Sequence, residues 1–205
     1  MFLKYCFVQI TSLDQLDFTA RYTYADYLLW QFSERVELIK GYVMQMAGPS
    51  SKHQRVSRAI ARVIFNYFYK SNCQAFAAPF DVRFYDRKKS LKADKDIYTV
   101  VQPDLCVICD KSKMDERGCL GAPDWIIEIL SPGNSKKEVQ KKYDLYEEHG
   151  VREYWVIYPS EQSVLQFVLN EQGKYHLHKI FAEDDLVPSY LFPDLLIDLK
   201  DVFED

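Results

Sequence analysis

Glu128 sits inside the run Trp125-Ile126-Ile127-Glu128-Ile129-Leu130, with apolar neighbours on both sides. An ionised carboxylate in such a strand is costly unless it is paired or bound to a metal. Asp104 has a similar setting, following Pro103 and preceding Leu105-Cys106-Val107-Ile108. If their strands are neighbours, the two acids converge and suit a hard cation. Mg2+ takes oxygen ligands at roughly 2.1 Å and keeps several waters, and Mn2+ shares that preference for oxygen. Such a site activates a water and neutralises charge on a transferring phosphoryl group. A lysine close by would stabilise developing negative charge. Lys142 is the candidate, on a helix expected just after the Glu128 strand, where Glu138, Lys142 and Tyr146 share one face by i, i+4 spacing. Plainer readings stay open. Asp104 can cap a turn after proline, Glu128 can pair with a core Lys or Arg, and Lys142 can be a surface lysine beside Lys136, Lys137 and Lys141.

Elements must position these groups. Thr23 can cap a helix from Tyr24 to about Phe32. Arg35–Ile39 and Tyr42–Met46 read as strands around a tight turn at Lys40-Gly41. Ser50 or Ser51 can cap a helix from about Lys52 to Tyr69, with Val56, Ile60, Val63, Ile64 and Tyr67 as its buried stripe. A strand follows Pro79. Residues 97–109 read as one further strand, with Pro103 at an edge or kink, and residues 111–123 read as a loop. Trp125–Leu130, a helix from about Ser135 to His149 closed by Gly150, and Glu153–Pro159 make strand–helix–strand. Such a unit forms a right-handed parallel crossover. A hairpin around residues 171–173 follows, and the tail adds a short strand and a helical turn. Together these predict an α/β or α+β sheet with helices on its faces.

The 205 residues suit one domain, 48% hydrophobic and 27% charged, with an ordinary core. The net charge of −4 argues against a simple polyanion binder. The charge is uneven, however. Residues 183–205 carry eight acids and one base, leaving 25 bases and 22 acids before them, a net of +3. Local patches would have to carry any nucleic-acid contact. Arg55, Arg58 and Arg62 recur at i, i+3, i+7 on the second helix, and Arg87, Lys88, Lys89, Lys92 and Lys95 crowd one loop. Such clusters attract phosphate, although a solvated helix face explains the arginines equally well. Five cysteines without framework spacing favour a reducing compartment. Cys106-x-x-Cys109 lacks the second pair of a zinc site and reads as structural. His176 and His178 in a hairpin also read as structural, and Trp125 and Trp155 as core. The short apolar start resembles no signal peptide, and no later run reaches membrane-spanning length, so a cytoplasmic protein is expected.

The segments Glu34–His53, Val101–Asp110, Gly121–Ser135 and Lys141–Pro159 resemble, in order and spacing, the Uma-type restriction endonuclease family of the PD-(D/E)XK superfamily. The resemblance covers about residues 23–160. It implies a restriction-endonuclease-like mixed sheet with flanking helices and an added N-terminal helix and hairpin, in a single domain over 1–205. It further implies an endonuclease that hydrolyses DNA with a metal-activated water, using Mg2+ or Mn2+ held by Asp104 and Glu128. RNA is an open substrate alternative, and double-strand cutting implies a homodimer. The superfamily's usual lysine position, two residues after the glutamate, holds Leu130 here. The family resembles members whose lysine has moved to the next helix, which points to Lys142. Glu138 stands where the family often has an aspartate. Glu37 and His53 match further family positions, as a metal-orienting acid and a phosphate-contacting or supporting histidine. The alternative is a nuclease-fold module that binds nucleic acid or assembles without catalysis.

Overall fold

The Lys40-Gly41 pair does what its residue types suggest. Both residues take positive φ, 53° and 89°, as a two-residue hairpin turn requires. A computed structural model of the chain describes residues 9–86, 92–132 and 136–204. In chain order the elements begin with α1 (Tyr24–Tyr27), β1 (Val36–Ile39), β2 (Tyr42–Gln45), α2 (Ser51–Phe68), β3 (Gln74–Ala77) and β4 (Val82–Phe84). There follow β5 (Thr99–Val101), β6 (Leu105–Ile108), β7 (Met114–Asp115), β8 (Gly118–Leu120) and β9 (Trp125–Ile129). The chain ends with α3 (Lys136–His149), β10 (Glu153–Tyr158), β11 (Ser163–Leu169), β12 (Tyr175–Ala182), β13 (Leu186–Pro188), β14 (Leu196–Asp198) and α4 (Leu199–Phe203). The fold is α+β with mixed sheets, and it divides into two compact units.

The first unit comprises the described residues of Met1–Ala47 and Phe84–Val101. β1 pairs antiparallel with β2 and with β5. Thr23 caps α1 by accepting the Asp26 N–H, while Asp26 accepts the Thr23 N–H. The helix stops at Tyr27 rather than near Phe32. Its last bonds tighten to Leu29 N–H to Asp26 and Trp30 N–H to Tyr27. The chain then turns so that Trp30 packs against Tyr22, Tyr27 and Phe32. Aromatic packing outweighs further helical turns.

The second unit comprises Gly48–Arg83 and Gln102–Asp205, again over the described residues. Its main sheet has six strands in the order β12-β11-β10-β9-β6-β3. β9 and β10 run parallel, joined by α3, and the other neighbours run antiparallel. α2 and α4 cover one face, where Trp125 and Trp155 pack edge to face at 4.8 Å between ring centres. α3 faces the other, with Tyr146 against Tyr154 and Tyr143 against Phe167. On α2 the buried row is His53, Val56, Ile60, Ile64 and Phe68. Tyr67, expected inside, is 41% exposed. The inner row follows i+4 spacing to Phe68, and the phenol stays near water.

Four further expectations change. Residues 97–109 form two strands, β5 and β6, split at Gln102-Pro103-Asp104 and assigned to different units. Proline lacks the N–H a continuous ladder needs. A strand, β3, precedes Pro79 as well as the one that follows it. Residues 111–123 are not all loop, because β7 and β8 make a small hairpin and β8 pairs parallel with β4. Cys109 is disulfide-bonded to Cys73, a departure from the reducing-compartment reading of the cysteines. The β3–β6 register aligns Gln74 with Ile108, which brings the cysteines one step further into opposition. No helix among the described residues is long and apolar enough to cross a membrane.

Candidate active site

Asp104 stands just before β6, held there by the backbone. Its carbonyl accepts the Ala78 N–H, and its carboxylate Oδ2 accepts the Ile129 N–H at 2.8 Å. The Asp104 side chain thus occupies a bond that a continuous strand would have made through its main chain. The antiparallel register runs Val107 to Trp125, Cys106 to Ile126 and Leu105 to Ile127. Asp104 immediately precedes the paired residues of β6, and Glu128 immediately follows Ile127 of β9.

Glu128 projects to the α3 face. Its Oε1 accepts the Tyr146 hydroxyl at 2.5 Å and the Lys142 ammonium at 3.1 Å. Lys142 and Tyr146 are one turn apart on α3, so both reach the same carboxylate. The Lys142 and Glu128 side chains are only 13% and 14% exposed. Lys142 is therefore no surface lysine, and Glu128 is paired with a largely buried lysine, as the plainer reading of that acid expected. Tyr146, placed by sequence only on the shared face, is a site residue that sequence reasoning missed. Its signal was the i+4 spacing from Lys142 together with a strand whose one acid needed donors.

His53 approaches Asp104 from the first turn of α2. Ser50 caps that helix by accepting the His53 N–H, which fixes where the ring begins its reach. The ring Nε2 lies 3.2 Å from Asp104 Oδ2, with side chains 10% and 18% exposed. Burial pushes the His53 pKa down, but the hydrogen bond and charge of Asp104, the charge of Glu128 and the Ile129 backbone together raise it above the usual value. Asp104 with His53, and Glu128 with Lys142 and Tyr146, are therefore two partly buried hydrogen-bonded groups, joined through the Ile129 N–H that Asp104 accepts. Burial holds the Cys106 thiol well above its ordinary pKa, so it stays neutral.

Other candidates are placed differently. Glu138 lies half-buried one turn before Lys142 on α3. Glu37 belongs to the first unit, on β1 opposite Met44, and is 3% exposed, so it is no solvated strand residue. Arg55, Arg58 and Arg62 are exposed along α2, and Arg62 lies 3.8 Å from Asp201 of α4. Lys88 and Lys89 lie outside the described residues. His178 packs against Tyr190. Among the described residues no group of three or more His, Cys, Asp or Glu side chains is gathered as a metal cage.

Comparison with known proteins bears on the family and the fold. The Uma2 family model, described as "Putative restriction endonuclease", matches residues 24–200. An uncharacterised protein of Synechocystis sp., slr1290, is 21% identical over 164 residues, covering 78% of this chain and 81% of its own length. A crystal structure from Anabaena variabilis, described as "a putative nuclease belonging to DUF820", is 27% identical with a TM-score of 0.66. That match covers 89% of this chain and 97% of the other.

Proposed function

The chain belongs to the Uma2 restriction endonuclease family, and from that premise we propose that it is a metal-dependent endonuclease that hydrolyses DNA phosphodiester bonds. The observation that carries this reading is the bond from the Ile129 N–H to Asp104 Oδ2. It ties the Asp104 carboxylate to the residue next to Glu128, so two acids from separate strands share one end of the sheet.

The donor set fits a hard divalent cation. Both candidate ligands are carboxylates, and Asp104 Oδ1 carries no hydrogen bond among the described residues. Two protein carboxylates suit Mg2+ or Mn2+, ions that tend to retain water. A bound ion supplies a water of lowered pKa and neutralises charge on the phosphoryl oxygens. Asp104 and Glu128 would hold that ion. His53, hydrogen-bonded to Asp104, orients the carboxylate. Lys142 lies beside Glu128 and stabilises negative charge developing in the transition state. Tyr146 fixes the Glu128 carboxylate through its hydroxyl. Glu138, one turn before Lys142, adds a further acid on the same helix face. Cutting both strands of a duplex calls for two such sites and hence a homodimer, which light scattering tests by mass.

Purified protein should nick or cut plasmid DNA with Mg2+ or Mn2+ and not with EDTA. Asp104→Ala and Glu128→Ala should each abolish cutting, and Lys142→Ala should cost about 10²-fold or more. Equal cutting by the protein and Asp104→Ala would mean a contaminant and would end this reading. Leu130 at the usual lysine position, and the lack of a three-residue metal cage among the described residues, favour one alternative, a nuclease-fold module that binds nucleic acid without catalysis. A Mn2+-soaked crystal without metal between Asp104 and Glu128, together with metal-independent DNA binding, would select that module.

A further inference from the structure

The outer face of α2 changes character along its length. Arg55, Arg58, Arg62, Phe65 and Tyr69 fall at i, i+3, i+7, i+10 and i+14, one stripe down the exposed side. The first three are cations. The last two are aromatics left 40% and 80% exposed. Opposite this stripe, the inner row begins at His53, in the candidate active site. From His53 to Phe65 the helix advances roughly 18 Å.

The aromatic end opens into a recess between α2 and β3. It has a volume of about 230 Å³ and is lined by Phe65, Phe68, Tyr69, Gln74, Ala75 and Phe76. Its β3 wall is braced. Phe76 lies against Phe80 with rings nearly parallel at 10° and 4.1 Å apart, and Cys73 beside Gln74 is fixed to Cys109 by the disulfide. Tyr69 is shared with a second recess of about 450 Å³, lined by Asn66, Tyr67, Lys70 and Ser71. The Lys70 ammonium lies 5.9 Å from the centre of the Tyr69 ring. An aromatic-walled slot therefore adjoins a polar, cationic one, with a largely exposed tyrosine between them.

That pairing matches the two halves of a nucleotide, a flat π-surface and an anionic sugar-phosphate. Aromatic platforms beside cations are how proteins hold unpaired bases, because every base offers a face to stack. We infer that the recess at the end of α2 takes a nucleobase from an unpaired stretch of nucleic acid. The base stacks on Tyr69, Phe65 and Phe76, with Gln74 as the polar group at its edge. The strand's phosphates follow Arg62, Arg58 and Arg55 toward the N-terminal end of α2. The inference rests on the nucleic-acid reading above and adds a preference for flayed or single-stranded substrate.

The test is binding in EDTA, which separates it from catalysis. A short single-stranded DNA carrying 2-aminopurine should be quenched by the protein and bound more tightly than the matching blunt duplex. Tyr69→Ala should weaken single-strand binding about tenfold and relieve the quenching, while Tyr69→Trp should preserve both. Tyr69 is 80% exposed, so its truncation leaves the fold intact; Phe65→Ala is the second variant, with the same expected loss. Unchanged single-strand affinity and quenching in both alanine variants would overturn the inference and leave the aromatic patch to a protein partner. If the protein cuts DNA but shows no Tyr69-dependent quenching, this inference fails alone. If it shows the quenching but no metal-dependent cutting, the nuclease reading fails alone.

Discussion

Lys142 and Tyr146 both donate to Glu128 Oε1, and the tyrosine's bond can be removed without disturbing the core. Tyr146→Phe keeps the ring packed against Tyr154 at 5.1 Å and deletes only the hydroxyl that meets Glu128 Oε1. Loss of such a supporting partner costs roughly tenfold in metal affinity or activity. The expected outcome is an unchanged melting temperature with a higher metal requirement, read from a Mg2+ titration of cutting. His53 gives a second residue-level outcome. In metal-free protein its pKa stands above 6.5, because Asp104 and Glu128 outweigh burial. A raised histidine pKa stabilises the fold fully below the unfolded value, and the contribution disappears as pH rises through the folded one. Metal-free protein should therefore lose a little stability from about pH 6.5 upward as His53 deprotonates. Asp104→Asn removes a charge and leaves the burial, so an NMR titration should find the His53 pKa lowered. A value equal to the parent's would show that Asp104 does not govern the ring.

At the scale of elements, one buried carboxylate organises the end of the main sheet. Glu153, on β10 and 0% exposed, accepts from Trp155 Nε1, Gln166 Nε2 and the Tyr190 N–H through Oε1. Its Oε2 accepts from the Ser189 hydroxyl and the Leu191 N–H. Glu153→Ala would strand those donors in the interior, at a cost of about 3–5 kcal/mol, and should be read as a large drop in denaturant midpoint. Gly118 makes a different demand on β8. Its φ is +118°, and a Cβ there would lie 2.2 Å from the Asp81 carbonyl oxygen. Gly118→Ala should destabilise by about 2 kcal/mol or more through the β4–β8 pairing. These elements also mark what the residue pattern could reveal. The β9–α3–β10 unit was legible because an apolar run, a capped helix and a second apolar run each carry their own period. Glu128 and Asp104 drew attention because one acid lies within an apolar strand and the other immediately before one. Glu153 did not, since it reads as one more polar residue at a strand start until Ser189 and the 189–191 backbone wrap it. The Cys73–Cys109 bond was hidden for the same reason, because only the β3–β6 register brings residues 36 apart together. The split of residues 97–109 into β5 and β6 was half legible. Pro103 announced a break, but which strands each half would join depends on long-range pairing.

At the scale of the whole molecule, a net charge of −4 must coexist with a polyanionic substrate. The acids concentrate after residue 182, while the residues before it sum to +3, so attraction depends on where charge sits rather than on its total. At physiological salt the Debye length is about 8 Å, and distant acids in the tail are largely screened. An acid beside an arginine of the α2 row is not. Asp201 lies 3.8 Å from Arg62, with both side chains more than half exposed. An exposed pair of this kind stabilises the fold by about 0–1 kcal/mol, so its loss is tolerable. Phosphate and Asp201 would compete for the same guanidinium. Asp201→Asn should therefore leave the melting temperature within a degree or two and tighten DNA binding several-fold at low salt. That gain should shrink as salt rises. Arg55→Ala, Arg58→Ala and Arg62→Ala together should act in the opposite sense. Every phosphate that the protein no longer neutralises takes about 0.9 off the slope of log affinity against log salt. Salt titrations of duplex binding by the parent and both variants measure the two effects together. A triple variant with the parental slope would mean that other residues neutralise the phosphates, and the α2 row would then be a solvated face.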